Sequence, residues 1–208
     1  MKTVFFLLLI NFSAVFSHEF PMLNNRIAKT DKRYSTFQTA LTLMTNQNAY
    51  TIVETGTARG GSLNCAGDGC STLIFGDWAY ENHATVYSVD IDPLALSCSF
   101  NALGKAADNV LLVEQDSIEF LSTFNGSIDF LYLDSYGFQL DNPLPSQNHH
   151  LNEIIAAYPH LARDCVVMID DCDLPYGGKG KLVIEYLLER GWKILAESYQ
   201  VILIRGDQ

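Results

Sequence analysis

Five short apolar runs punctuate the chain: Thr51–Glu54, Thr85–Asp90, Val110–Val113, Ile128–Leu133 and Cys165–Ile169. Each is rich in Val, Ile, Leu or aromatic residues with little polar alternation, the pattern of strands buried on both faces. Segments with helical apolar spacing lie between them. Ser71–Tyr80 carries Leu73, Ile74, Phe75 and Trp78, and Pro93–Leu103 begins on a proline at its favoured first position. Ser117–Thr123, Leu151–Leu161 and Lys181–Arg190 follow, the last closed by Gly191. Ahead of the first strand, Tyr34–Asn48 presents Phe37, Ala40, Leu41, Leu43 and Met44 on one helical face, with Ser35 or Thr36 as the expected cap. Trp192–Ala196 and Gln200–Ile204 are too close in sequence for a helical crossover, so they form an antiparallel pair. The order predicts an α/β fold: a Rossmann-like, doubly wound sheet of seven strands, mostly parallel, with a C-terminal antiparallel hairpin.

The chain has 208 residues, enough for one domain with a sizeable core. Residues 50–208 are expected to form that domain. Residues 18–49 supply a polar, irregular lead-in and the first helix. Residues 1–17 stand apart, because Met1-Lys2 is followed by the apolar run from Val4 to Ile10 and small residues near Ser17. That segment reads as a secretory signal or a membrane anchor, or as a hydrophobic helix packing on the domain or on a second copy. Two stretches resist assignment: the loop from Gly56 to Gly69, long for an α/β turn, and Ser135–Asn148 with Pro143 and Pro145.

Composition narrows the function class. A hydrophobic content of 48% with 18% charged residues is globular, and a net charge of −11 argues against nucleic acid or an anionic membrane surface as partner. Membrane contact is expected only through the N-terminal segment, if it is not cleaved, and a homodimer is left open. The five cysteines have neither metal-site nor paired disulfide spacing. Cys98 and Cys165 read as buried small residues, and Cys65 and Cys70 could bridge in an oxidising compartment. Asn125-Gly-Ser127 is a glycosylation acceptor only in a secreted chain.

The chemistry concentrates where strands end. The first runs through Glu54 into Gly56, Gly60 and Gly61, and the second ends at Asp90 with Asp92 two residues on. A glycine-rich turn after one strand and a carboxylate at the tip of the next suit a nucleoside. Gln115-Asp116-Ser117 follows the third strand, Asp134 the fourth and Asp170-Asp171 the fifth.

This E-x-G-x-x-x-G turn, the acid-tipped second strand, Asp116-Ser117 and the closing hairpin together resemble the class I S-adenosylmethionine-dependent methyltransferases, over Thr51 to Arg205. The resemblance implies that Glu54, Gly56, Thr57 and Gly60 border the methionine part and sugar of S-adenosyl-L-methionine. It further implies that Asp90 accepts from the ribose hydroxyls and that Asp116 and Ser117 lie near the adenine. The glycine spacing is looser than the G-x-G-x-x-G of dinucleotide enzymes, which stay as a weaker alternative.

Within that class the chain is similar to metal-dependent O-methyltransferases of the catechol and sugar types. This implies that Asp134, Asp170 and Asp171 converge on Mg²⁺ or another divalent cation that orients a hydroxyl of a small polar substrate. Those relatives carry a Lys or His as general base three residues after the fourth-strand Asp, where this chain has Gly137. His149 and His150 are the expected substitutes, with Asp134 beside the reacting centre. Lys179, in a glycine loop that reads as a lid, is a weaker candidate. The missing base keeps a second reading open, a catalytically inactive binding or assembly module. Cofactor supply favours the cytoplasm, whereas residues 1–17 look like an export signal or anchor.

Overall fold

A computed structural model of the protein describes residues 19–206. The expectations for Met1–Ser17 lie outside the described residues. The strands are β1 (Thr51–Thr55), β2 (Thr85–Asp90), β3 (Val110–Glu114), β4 (Ile128–Leu133), β5 (Leu161–Ile169), β6 (Trp192–Glu197) and β7 (Val201–Arg205). They form a seven-stranded sheet in the order β3-β2-β1-β4-β5-β7-β6. β1 to β5 run parallel, and β7 lies antiparallel to both β5 and β6. The doubly wound sheet with its antiparallel terminal strands is the predicted architecture.

The helices are α1 (Pro21–Arg26), α2 (Tyr34–Asn46), α3 (Cys65–Asp68), α4 (Ser71–Asn82), α5 (Pro93–Leu103), α6 (Ser117–Thr123), α7 (Leu144–Ala157) and α8 (Lys181–Leu188). They cover both faces of the sheet, which explains why the central strands lack polar alternation. Ile52, Val86, Phe130, Tyr132 and Met168 point to one face, where Phe37, Leu41, Leu73, Phe75 and Trp78 of α2 and α4 pack on them. Val53, Leu131, Leu133, Val167 and Ile169 point to the other, against Leu121, Ile154, Val183 and Leu187 of α6, α7 and α8. Phe75 is the hub of the first layer, with ring centroids 5.7, 5.2 and 5.5 Å from Phe37, Phe130 and Tyr132.

Four expectations need correction. The lead-in is not wholly irregular: α1 buries Met22 and Leu23, and Arg26 pairs with Asp77 of α4 at 2.9 Å. Neither Ser35 nor Thr36 caps α2. Arg33 takes the cap position, and the Thr36 hydroxyl instead lies within hydrogen-bond reach of the Arg33 carbonyl and Gln200. α7 begins at Leu144 rather than Leu151, because Pro145 sits in the first turn, where its missing N–H costs nothing. Cys98 is exposed on α5, although Cys165 is buried as expected. Among the described residues, no helix is long and apolar enough to cross a membrane.

Phe75→Ala removes the shared edge of this aromatic cluster. It is expected to cost about 3–5 kcal/mol of unfolding free energy in a urea titration, with the m-value unchanged.

Candidate active site

β1 and β4 are neighbours whose chains leave the sheet on opposite sides, so a crevice opens at their carboxyl ends. Gly56 lies at its floor. Its N–H donates to the Val89 carbonyl at 2.8 Å, its φ is +83°, and a Cβ there would lie 2.7 Å from the Asp134 carbonyl oxygen. Only glycine lets the β1 loop pass this close to the end of β4.

An open cleft of about 360 Å³ starts from that glycine, lined by Asp90, Ile91, Gln115, Asp116, Ser117 and the Tyr136–His149 pair among others. Asp90 is anchored by two backbone donors, Thr57 N–H at 3.1 Å and Asp92 N–H at 2.9 Å, one to each oxygen. Asp116 caps α6 by accepting from the N–H groups of Ile118 and Glu119, both at 3.0 Å. Tyr136 and His149 stack with centroids 5.2 Å apart on the cleft wall.

Of the sequence-predicted residues, the structure thus brings Gly56, Asp90, Asp116, Ser117 and His149 to the cleft. Glu54, Thr57, Gly60 and His150 are not among its lining residues. Glu54 is fully buried; it accepts a short hydrogen bond from Thr72 and one from Ser88 at 3.1 Å. The Thr57 hydroxyl joins the same network through Ser88 at 3.0 Å and Ser99 at 2.8 Å. These residues therefore hold the loop from behind. Burial pushes the Glu54 carboxyl up to about 8 against the pull of the Thr72 and Ser88 hydroxyls, and the Asp134 and Asp90 carboxylates add to the rise. His150 is sealed, with Nδ1 2.7 Å from the Ser146 carbonyl, and burial lowers its pKa to about 4. It cannot reach a substrate in the cleft.

His149 is better placed. Its Nε2 lies 3.2 Å from the Ser117 hydroxyl and 3.4 Å from Glu153, which also accepts from Ser117 at 2.5 Å and Ser135 at 2.6 Å. Burial works against the imidazolium, but the Glu153 carboxylate outweighs it and raises the His149 pKa. Despite its burial, Glu153 is held down at about 2 by the two histidines and Ser117.

Across Gly56 from the cleft, Asp134, Asp170 and Asp171 converge, each with an oxygen within 4.8 Å of the others. Lys179 enters the same space from the loop before α8. Its ammonium makes a short ion pair with Asp134 and lies 3.0 Å from Asp171. The Arg33 guanidinium approaches Asp170 at 3.7 Å, and the Tyr199 hydroxyl donates to Asp171. Burial and the adjacent carboxylates raise Asp170 to about 7, whereas the Lys179 ammonium outweighs burial and draws Asp171 below its ordinary value. The donor set therefore does not fit a divalent ion as it stands, because the ammonium lies where an ion bridging Asp134 and Asp171 would sit.

The glycine loop is pinned rather than lid-like. Gly178 has a φ of +53° and a Cβ there would fall 1.7 Å from the Asp171 carbonyl oxygen; Lys179 N–H donates to that same oxygen at 3.1 Å. Gln147 of α7 donates to the Tyr176 and Gly178 carbonyls, both at 3.0 Å, and Ser146 donates to the Tyr136 carbonyl at 3.1 Å. Within the segment after β1, Cys65 and Cys70 are joined in a disulfide that spans α3 and the turn into α4.

A model of the methyltransferase-domain family matches residues 53–172, which span β1 to just past β5 and hold most of this site. The chain belongs to that family. No curated protein matches its sequence. The SAH-bound Podospora anserina methyltransferase PaMTH1 is similar in structure, with 16% identity and a TM-score of 0.60 over 89% of this chain and 85% of that one. The O-methyltransferase from Bacillus cereus in complex with SAH gives 13% identity and a TM-score of 0.56 over 91% and 92%. An rRNA methylase from Streptococcus thermophilus gives 13% and 0.54 over 82% and 96%. At these identities the likeness speaks for the fold, which is that of class I S-adenosylmethionine-dependent methyltransferases.

Some residues of this methyltransferase site were missed in the sequence. Glu153, four residues after His149 and three after His150, sits at helical spacing and could have been found as their partner. Arg33, Gln147 and Tyr199 reach the site only through tertiary packing and leave no local pattern.

Glu54 generates a pH prediction for the methyltransferase. Between its ordinary value of 4.5 and about 8, the folded chain holds a proton on Glu54 that the unfolded chain has released, so this group makes stability fall as pH rises through that window. Glu54→Gln should lose less stability than wild type between pH 5 and pH 8.5 in denaturant titrations. Equal losses in the two proteins would refute the assignment.

Proposed function

We propose that the chain transfers the methyl group of S-adenosyl-L-methionine to a hydroxyl oxygen of a small, polar acceptor. Asp90 carries the reading. It ends β2 at the edge of the cleft, and its two backbone donors use one lone pair on each oxygen, leaving acceptor capacity toward a ribose diol. Gly56 allows the sugar and methionine part to lie against the backbone. The Gln115–Ser117 stretch and the Tyr136–His149 pair offer a polar edge and a stacking face for the base. The Glu54 network supports the loop without touching ligand.

The reacting end of the cofactor would then point past Gly56 toward Asp134. A hydroxyl acceptor must lose its proton as the carbon–oxygen bond forms and the sulfonium leaves as a neutral thioether. The Asp134 carboxylate, part-exposed beside Gly56, is assigned to take that proton. His149, on the cleft wall, is assigned to binding rather than to proton removal. The acceptor is taken to be a small molecule, since a net charge of −11 disfavours an RNA backbone.

Calorimetry with S-adenosylhomocysteine tests the reading. Binding by the wild-type chain should weaken in Asp90→Ala by about 10- to 150-fold, the equivalent of one charge-assisted hydrogen bond of ~1.5–3 kcal/mol lost. No binding by the folded wild type, or affinity unchanged in the variant, would overturn it. Binding without methyl transfer to any hydroxyl acceptor would favour the binding-module alternative.

A further inference from the structure

The acidic centre has a charge problem that its own residues solve. Asp134, Asp170 and Asp171 bring three carboxylates into one partly buried space at the ends of β4 and β5. Such a group repels itself strongly unless cations sit among its members. Two do. Lys179 contacts Asp134 and Asp171 with a side chain only 4% exposed, and Arg33, equally buried, faces Asp170.

The lysine is not a side chain that wandered in. Its backbone is fixed by the Lys179 N–H bond to the Asp171 carbonyl, and Gly178 beside it occupies a position where a Cβ has no room. Gln147, itself buried, grips the carbonyls on both sides of Gly177. A divalent ion held by the same carboxylates would need oxygen contacts at about 2.0–2.6 Å and a near-complete oxygen shell. An ion that close to both Asp134 and Asp171 would fall in the space of the ammonium, which supplies no lone pair. The two cations are mutually exclusive there.

We propose that Lys179 is the resident cation of this centre: a tethered ammonium replaces the divalent metal, and the native chain takes no Mg²⁺ or Mn²⁺ at Asp134, Asp170 and Asp171. Resting on the O-methylation reading above, this also narrows the acceptor. A metal orients an acceptor by chelating two vicinal oxygens. An ammonium held between carboxylates instead offers a single hydrogen-bond donor, so one hydroxyl suffices and a vicinal diol is not required. Lys179 thereby acts as a positioning residue for the acceptor side.

Titration of the full chain with Mn²⁺, followed by the loss of the free-ion paramagnetic resonance signal, tests this without any methyl-transfer assay. Wild type and the charge-keeping K179R should bind no stoichiometric Mn²⁺ with a Kd below about 1 mM. K179M should gain one equivalent bound at least about tenfold more tightly than wild type, and lose it again when combined with Asp170→Asn. Wild type binding one equivalent that Asp170→Asn abolishes would overturn the proposal, as would a folded K179M that binds no better than wild type. Should K179M fail to fold, the wild-type titration and its Asp170→Asn control decide alone. Failure of S-adenosylhomocysteine to bind would sink the functional reading yet leave these metal titrations unaffected.

Discussion

The constraint on which the rest depends is the close approach of two backbones at the centre of the sheet. β1 must turn away at Gly56 while β4 ends beside it at Asp134, and the gap between them accommodates no side chain on the glycine. From this one contact follow the crevice, the cleft on the β2–β3 side, and the charged centre on the β4–β5 side. Any bulk at position 56 would push the strand ends apart and disturb both at once.

A doubly wound sheet buries its strands on both faces, so polar chemistry is confined to the strand ends. There the chain accepts the cost of dehydrating carboxylates and offsets it differently on the two sides. Behind the β1 loop, hydroxyl groups surround Glu54, and burial raises its pKa against their pull. At the ends of β4 and β5, two cations from distant parts of the sequence supply the compensation. Arg33 comes from the start of α2 and Lys179 from the loop before α8. A buried carboxyl group thus behaves as a hydroxyl-bound acid in one place and as an ion-pair partner in the other.

The fold was legible because its signals are local. Apolar runs without alternation, a proline starting a helix at Pro93 and a glycine closing one at Gly191 each report on a few neighbouring residues. The strand-end acids were legible for the same reason, since topology places the carboxyl ends of the parallel strands β1 to β5 at one edge. What could not be read was the direction of individual side chains. Glu54 sits on a strand tip as Asp90 does, yet it points into packed hydroxyls while Asp90 reaches the cleft edge. Pro143 and Pro145 looked like breakers because a proline's effect depends on whether it falls before, at or inside a first turn. The role of Lys179 depends on Gly178 and Gln147 acting together from separate elements, and no window of sequence contains that arrangement.

Helix α7 has a consequence that reaches beyond its own packing. Within its first two turns Ser146 holds the Tyr136 backbone, Gln147 holds the loop that carries Lys179, and His149 forms part of the cleft wall. One helix therefore supports the cleft and the charged centre together. A ligand that shifts this helix by binding on one side changes the geometry offered on the other, and thermodynamic reciprocity makes the influence run equally both ways. On the function proposed above, cofactor and acceptor affinities are in this sense linked through α7.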